Sequence, residues 1–353
     1  MHPGARVYRV RKLCGAGEFA TITQALAQWQ ADKAGLVHHC AAVIEVADSA
    51  TYHEAPNLTL APGERLVLRA ADTTRPVLRM FDYAGTAQEC VAIRCGAGAR
   101  LTIDGLLVAG GALALEGDPA GAPCQVLLRH CTLVPGWNTE PARAPQWQSR
   151  PSLVCTGQGV SLRIDHSIVG ALQFGERGDA LYIGDSIVDG GHAAALLLAD
   201  RRQGAAAVSA TIVRSTLIGV AQVTHLALAE NAIFLGPLLA GWRDSGRVRH
   251  CYLAPGSVTP RRERCQPEPG HRGDRHKWQP RFLSLRYGER GYAKLASDCA
   301  WEIGCGADDH GEMGAFHDLH RAPLLFERAA AAPRRELIPA PLLSHSDRRE
   351  CVA

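Results

Sequence analysis

Asp165, His166, Asp185, Asp189 and His192 crowd one stretch of a 353-residue chain. If successive turns of the backbone stack them, two carboxylates come within the roughly 5 to 9 Å that separates the paired carboxyls of a glycoside hydrolase. A neighbouring imidazole would then tune or relay the proton. Asp165, Asp185 and Asp189 are the candidate catalytic carboxylates, with His166 and His192 beside them, for a polysaccharide lyase or glycoside hydrolase acting on acidic glycans. The plainer reading ranks first: His166 and Asp185, like Ser215 and Asn231, hydrogen-bond a turn.

A second group is Cys299, Cys305, His310, His317 and His320, with Asp308 and Asp309 between them. These ligand types suit zinc, but the Cys-x5-Cys and His-x2-His spacings match no standard finger. A docked, solvated loop is the expected state, and no cofactor is expected. A third group is basic and aromatic. Residues 261–294 hold ten Lys/Arg against four Asp/Glu, among them Arg261, Arg262, Arg264 and Arg281, with Trp278 and Tyr287 interspersed. Such a stretch can neutralise phosphates and stack on bases. Its prolines and the lack of a nucleic-acid motif favour an acidic protein surface or an anionic polysaccharide instead.

Composition narrows what can position these groups. The chain is 46% hydrophobic and 21% charged, enough apolar material for a sizeable core. With 36 Gly, 20 Pro and 6% aromatics it turns often and packs small aliphatics. A net charge of +3 gives no whole-molecule pull toward nucleic acid or membrane. No apolar run is long enough to span a bilayer, so no membrane insertion is expected. Met1 to Leu13 is basic with no apolar stretch after it, and the twelve cysteines show no Cys-x2-Cys spacing. Synthesis in a reducing cytoplasm is the expectation.

The positioning element is a repeat. Gly105-Leu-Leu-Val, Cys131-Thr-Leu-Val, His166-Ser-Ile-Val, Asp185-Ser-Ile-Val, Ser215-Thr-Leu-Ile, Asn231-Ala-Ile-Phe and Cys251-Tyr-Leu-Ala share one pattern. Each meets a glycine shortly after: Gly110, Gly136, Gly170, Gly190, Gly219, Gly236 and Gly256. The third position is always Leu or Ile: Leu107, Leu133, Ile168, Ile187, Leu217, Ile233 and Leu253. First members lie 16 to 35 residues apart, too short for repeated strand–helix crossovers and too irregular for a helical repeat. Coils of a parallel β-helix fit, with surplus length expelled as loops. The seven aliphatics should then form one internal column. Two adjacent aliphatics in each segment break the alternation of a strand, which is assigned here to the bend between short strands.

In that register Asp104, His130, Asp165, Gly184, Arg214, Glu230 and His250 stack on one external face as alternating acids and bases. Cross-strand pairing explains such a stripe, and a sugar-binding stripe is the other reading. Thr59-Leu-Ala-Pro-Gly-Glu-Arg-Leu-Val-Leu-Arg and Cys90-Val-Ala-Ile-Arg read as earlier coils. Residues 20–34, with the capping box Thr21-Ile-Thr-Gln24 and Ile22, Leu26 and Trp29 on one face, supply a lid for the bore. The expected organisation is an N-terminal cap over 1–40, a β-helix over 41–256 and an irregular docking region over 257–353.

Gly17-Glu-Phe-Ala-Thr-Ile-Thr-Gln-Ala-Leu26, followed by the coil pattern, resembles the opening of pectin-lyase-like right-handed β-helix proteins. The resemblance covers about residues 15–256 and implies an all-β, right-handed, single-stranded parallel β-helix. The superfamily's polygalacturonase strings are not matched. The nearest are Asn138-Thr139-Glu140, Asp308-Asp309 and Gly191-His192-Ala193, in the wrong order and context. Gly304 to Leu319 is similar to a segment in β-helix proteins that accompany phage-tail-like contractile injection machinery. These likenesses imply a non-catalytic structural or binding protein with protein partners in a larger, tail-like assembly, and a glycan on the solenoid face as a further contact.

Overall fold

The computed structural model describes residues 5–35, 41–80, 90–135, 150–175, 180–200, 202–268 and 278–318. Their architecture is all-β, built from stacked parallel sheets and consistent with a β-helix-like solenoid. Between residues 41 and 240 each turn of the chain contributes a strand to each of three faces. The first face runs Arg6–Val10, Ala41–Val46, Arg65–Ala70, Arg100–Asp104, Cys124–Arg129, Val160–Asp165, Ala180–Gly184 and Ala206–Val213. It then continues through the second half of Val220–Glu230 to Arg247–Arg249 and Arg261–Glu263. The second face holds nine strands, from Thr51–His53 to Tyr252–Leu253. The third runs from Leu58–Leu60 to Leu238–Ala240. Val220–Glu230 turns the corner from third face to first, so those two faces form one 18-stranded sheet. The parallel pairing thus begins before residue 41 and continues past 256.

On the first face Leu66, Leu68, Leu101, Ile103, Val126, Leu128, Leu162, Ile164, Leu181 and Ile183 point inward and are buried, alternating with outward positions. The second face does not alternate. Its inner row, Val108, Leu133, Val169, Val188, Leu217, Phe234 and Leu253, belongs to the main core. Its outer row includes Leu107, Ile168, Ile187, Ile233 and Tyr252, and these are buried too. The register pairs Thr132 with both Leu107 and Ile168, and Val188 with Leu217. The seven repeated aliphatics therefore do not form one internal column. Leu107, Ile168, Ile187 and Ile233 sit in the outer row, and Leu133, Leu217 and Leu253 in the inner one.

The cause is the segment 278–318, which lies on the outside of this face. Tyr292, Ala293, Ala315 and Phe316 pack on Ile168, Ile187 and Ile218, while Leu295, Ile303 and Met313 pack on Ile233 and Tyr252. A parallel sheet covered on both sides reads as a continuous aliphatic run. The doubled aliphatics record that cover, not a bend. Gly314 makes the approach: a Cβ there would lie 2.6 Å from Thr216 Oγ1, and its φ is +97°.

At the start of the stack, α1 (Ile22–Gly35) buries Ile22, Ala25, Leu26 and Trp29. Thr21 Oγ1 accepts from the Gln24 amide at 3.1 Å, and Gln24 Oε1 accepts from the Ala20 amide. Glu54 adds a carboxylate that accepts from the Ile22 and Thr23 amides at 2.9 Å, where the helix dipole favours negative charge. α2 (Trp301–Gly304) is a single turn within the covering segment. No described helix is long and apolar enough to cross a membrane.

Candidate functional site

From Gly105 onward the chain turns from first face to second through one left-handed residue per coil. Gly105 is followed by His130, His166, Asp185, Arg214, Asn231, His250 and Arg264, the last seven with φ between 45° and 51°. Left-handed backbone costs a non-glycine residue roughly 1–2 kcal/mol, so something must hold each corner. The following residue does so from inside: Ser167, Ser186 and Ser215 are buried and form a hydroxyl ladder. Each donates to the carbonyl two residues back, at 2.8, 2.6 and 2.8 Å. Each accepts from the equivalent amide of the preceding coil: Cys131 to Ser167, Ser167 to Ser186, Ser186 to Ser215. Cys131, Cys251 and Cys265 make the same contact to the i−2 carbonyl through sulfur. The turn hydrogen bonds are thus made one position after His166 and Asp185, whereas Asn231 is followed by Ala232 and its own side chain bonds Asp308. Only Ser215 was placed correctly from sequence. The recurring small polar or thiol residue was the available signal.

Outside, two rows of side chains meet. The last row of the first face reads Arg9, Glu45, Arg69, Asp104, Arg129, Asp165, Gly184, Val213, Glu230, Arg249 and Glu263. His130, Arg214 and His250 belong instead to the corner row, so the acid–base stripe read from sequence is really two rows. Within the first, signs alternate from coil to coil. Arg69 reaches Glu45 at 2.6 Å, Arg129 reaches Asp104 at 2.6 Å, and Arg249 reaches Glu230 at 2.5 Å. Burial works to raise the Asp104 carboxyl, but Arg129 and His130 outweigh it and hold it below its usual value. Where the row lapses at Gly184 and Val213, the corner row supplies the pair. Arg214 donates to both oxygens of Asp185, at 2.6 and 2.7 Å.

Asp165, His166 and Asp185 come together, with one ligand atom from each within 4.8 Å of the others. Asp165 lies 3.5 Å from His166 and 3.7 Å from Arg163, and the His130 and His166 rings are 5.6 Å apart. That spacing is close to a retaining carboxylate pair, but both Asp185 oxygens are bound by Arg214. Asp189 does not join them. It is buried beneath the covering segment, accepting from Tyr292 Oη at 2.5 Å and the Gly191 amide at 2.7 Å. Burial raises its carboxyl above the usual range against the pull of those donors. His192 is exposed nearby. A hollow of about 450 Å³ lies elsewhere, at Ala227, Leu228, Gly246, Arg247 and Arg249.

The second candidate group assembles differently from its sequence reading. Asp308, Asp309 and His317 place ligand atoms within 4.8 Å of one another. Cys299 and Cys305 are not part of this cluster, His310 is exposed, and His320 lies outside the described residues. Residues 315–318 form turns, so the helical placement of His317 does not apply. Asn231, on the corner row, donates Nδ2 to Asp308 Oδ1 at 2.6 Å and accepts the Asp308 amide at 3.1 Å. Burial works to raise Asp308, but Asn231, His250 and His317 together hold it below its usual value. Burial pushes the nearby Glu312 carboxyl up to about 7, despite Lys294.

Of the basic and aromatic group, Arg261, Arg264 and Arg281 are exposed, with Arg281 paired to Asp298 at 2.8 Å. Arg262 is half-buried and tied to Thr259 and Ser257, and Trp278 is half-buried. Tyr287 packs on Leu107, Ala109 and Val134 and meets Tyr292 edge-on at 5.7 Å, so its ring faces the stack. Gly136 and the string at 138–140 lie outside the described residues. No family model matches the chain, and no curated protein matches it in sequence.

Proposed function

We propose that this chain is a non-catalytic structural or binding protein: a right-handed, single-stranded parallel β-helix of the pectin-lyase-like type, serving as a component of a multiprotein, tail-like assembly. The observation that supports it is the state of the candidate carboxylates. Both oxygens of Asp185 are held by Arg214, and Asp189 is sealed beneath Tyr292. A general acid or nucleophile must reach the substrate, and these groups reach other side chains. The likeness of residues 304–319 to injection-machinery proteins supplies the kind of assembly. The exposed Arg261, Arg264 and Arg281 are the proposed contacts for a protein partner, and the paired charges of the first face for a glycan.

The experiment has two arms. Full-length protein incubated with a broad panel of acidic glycans is expected to release no product. Turnover that disappears in Asp185→Asn would replace this reading with a lyase or hydrolase, the reading favoured by the closeness of Asp165 and Asp185. In the second arm, tagged chain recovered from its own cells is expected inside particles containing tail-like proteins. Charge reversal at Arg261, Arg264 and Arg281 should release it.

A further inference from the structure

We propose that the last coil of the stack is the docking surface for an extended acidic segment of a protein partner, which adds itself as the next strand beyond Arg261–Glu263. The inference rests on the protein-partner reading above and names that partner's chemistry.

The two ends of the stack are finished differently. The first coil is covered by α1, whereas among the described residues Arg261–Glu263 is paired on one side only, with Arg247–Arg249. The backbone groups on the other side of such a strand are a template for one more. The bore itself is closed from within. The inward column Ile164, Ile183, Ile212, Ala229 and Val248 ends at Arg262, whose guanidinium donates to Thr259 Oγ1 at 2.8 Å and to the Ser257 carbonyl at 2.6 Å. A charge turned inward here keeps the end from recruiting chains through apolar contact alone.

Charge then selects the partner. In the last row of the first face, arginines pair with acids on the neighbouring coil: Arg69 with Glu45, Arg129 with Asp104 and Arg249 with Glu230. One row over, Arg247 and Arg261 stand directly opposite each other in the register, and both are exposed. Like charges so placed repel. Glu263 reaches Arg261 only along their own strand, at 3.4 Å. Arg264 adds an exposed guanidinium at the following corner. Arg65 and Arg100 also oppose each other, but their strands are paired on both sides. An incoming strand with a carboxylate opposite Arg261 restores there the alternation of sign that the neighbouring row keeps. A second copy meeting this end with its own brings the same arginines and is repelled. Residues 269–277 and 319–353 carry more basic than acidic side chains, so they are poor complements too. Beside Arg247, the hollow of about 450 Å³ lined by Ala227, Leu228 and Gly246 leaves room for an apolar side chain of the same segment.

Full-length protein titrated into a fluorescein-labelled peptide alternating glutamate with valine is expected to raise the peptide's anisotropy, and a lysine–valine peptide of equal length is expected to stay free. Arg247→Ala and Arg261→Ala should each weaken binding about threefold, and added salt should weaken it further. Arg100→Ala, on an interior coil, should bind as the unmodified chain does. Methylating alternate backbone nitrogens of the peptide should abolish binding, because the edge then has no donors to pair with. Equal binding of the lysine or the methylated peptide, unchanged affinity in Arg261→Ala, tighter binding of polygalacturonate than of the peptide, or cross-links placing residues 319–353 on this edge would each overturn the proposal. A chain that binds the peptide but is missing from tail-like particles overturns the assembly reading alone. A chain found in those particles that leaves the peptide free overturns this proposal alone.

Discussion

The first and second faces are made from the same chain, turn by turn, yet they obey different rules. The first is covered on one side: its inner positions are aliphatic and its outer edge is a row of charges that alternate in sign. The second is covered on both sides, by the bore and by residues 278–318, and aliphatics fill both its rows. A strand's side-chain pattern therefore reports how many of its sides are dry. Between the faces, the left-handed corner presents side chains outward that join one row or the other: Asp185 and Arg214 complete the charge row, and Asn231 anchors the covering segment.

The largest test places a charge in each kind of outward position. Ile187→Asp puts a carboxylate beneath the covering segment and is expected to cost at least about 4 kcal/mol of docking free energy. Limited proteolysis should then cut within 278–318 far faster. Gln125→Asp, exposed on the first face, should stay within about 0.5 kcal/mol of the parent in urea unfolding. Equal effects would erase the distinction between the faces.

Next is the corner pair. Arg214→Ala leaves the buried Asp185 carboxylate alone and should cost about 2–3 kcal/mol. Adding Asp185→Asn should recover much of that, a coupling measurable by a double-mutant cycle.

A smaller effect concerns Asp189. Its carboxyl titrates above 3.8 in the folded chain, so the folded state holds its proton over a pH range in which the unfolded state has lost it. Docking should therefore weaken as pH rises from 3.8 through that raised value, and strengthen as pH falls. Hydrogen exchange of residues 284–295 across this range should show the slope, and Asp189→Asn should flatten it. Smallest is Arg129→Ala on the open charge row, expected to cost under about 1 kcal/mol and to fade with added salt.

The repeat was legible because stacked coils put like residues on like, so the spacing of short aliphatic segments announced parallel pairing and the capping residues announced α1. The register was not. Leu107 and Leu133 look equivalent in sequence, but the corner falls one residue earlier relative to Cys131 than to His166, and no residue type alone marks a left-handed backbone. Asp189 was misread because its partner, Tyr292, lies 103 residues away. Asp308, Asp309 and His317 were noticed, but spacing could not separate them from Cys299 and Cys305. Only the docking of the loop on Asn231 does that.

The hydroxyl ladder fixes how coils can be added or lost. A one-residue slip would break a serine bond, invert a strand's sides and separate the paired charges at once, so faults in wrapping are penalised together. Loop length outside the three faces carries no such penalty. Equivalent corners stand as few as 14 and as many as 36 residues apart, between His250 and Arg264 and between His130 and His166. Whole windings, rather than single residues, are thus the unit in which such a rod can grow or shrink over evolutionary time.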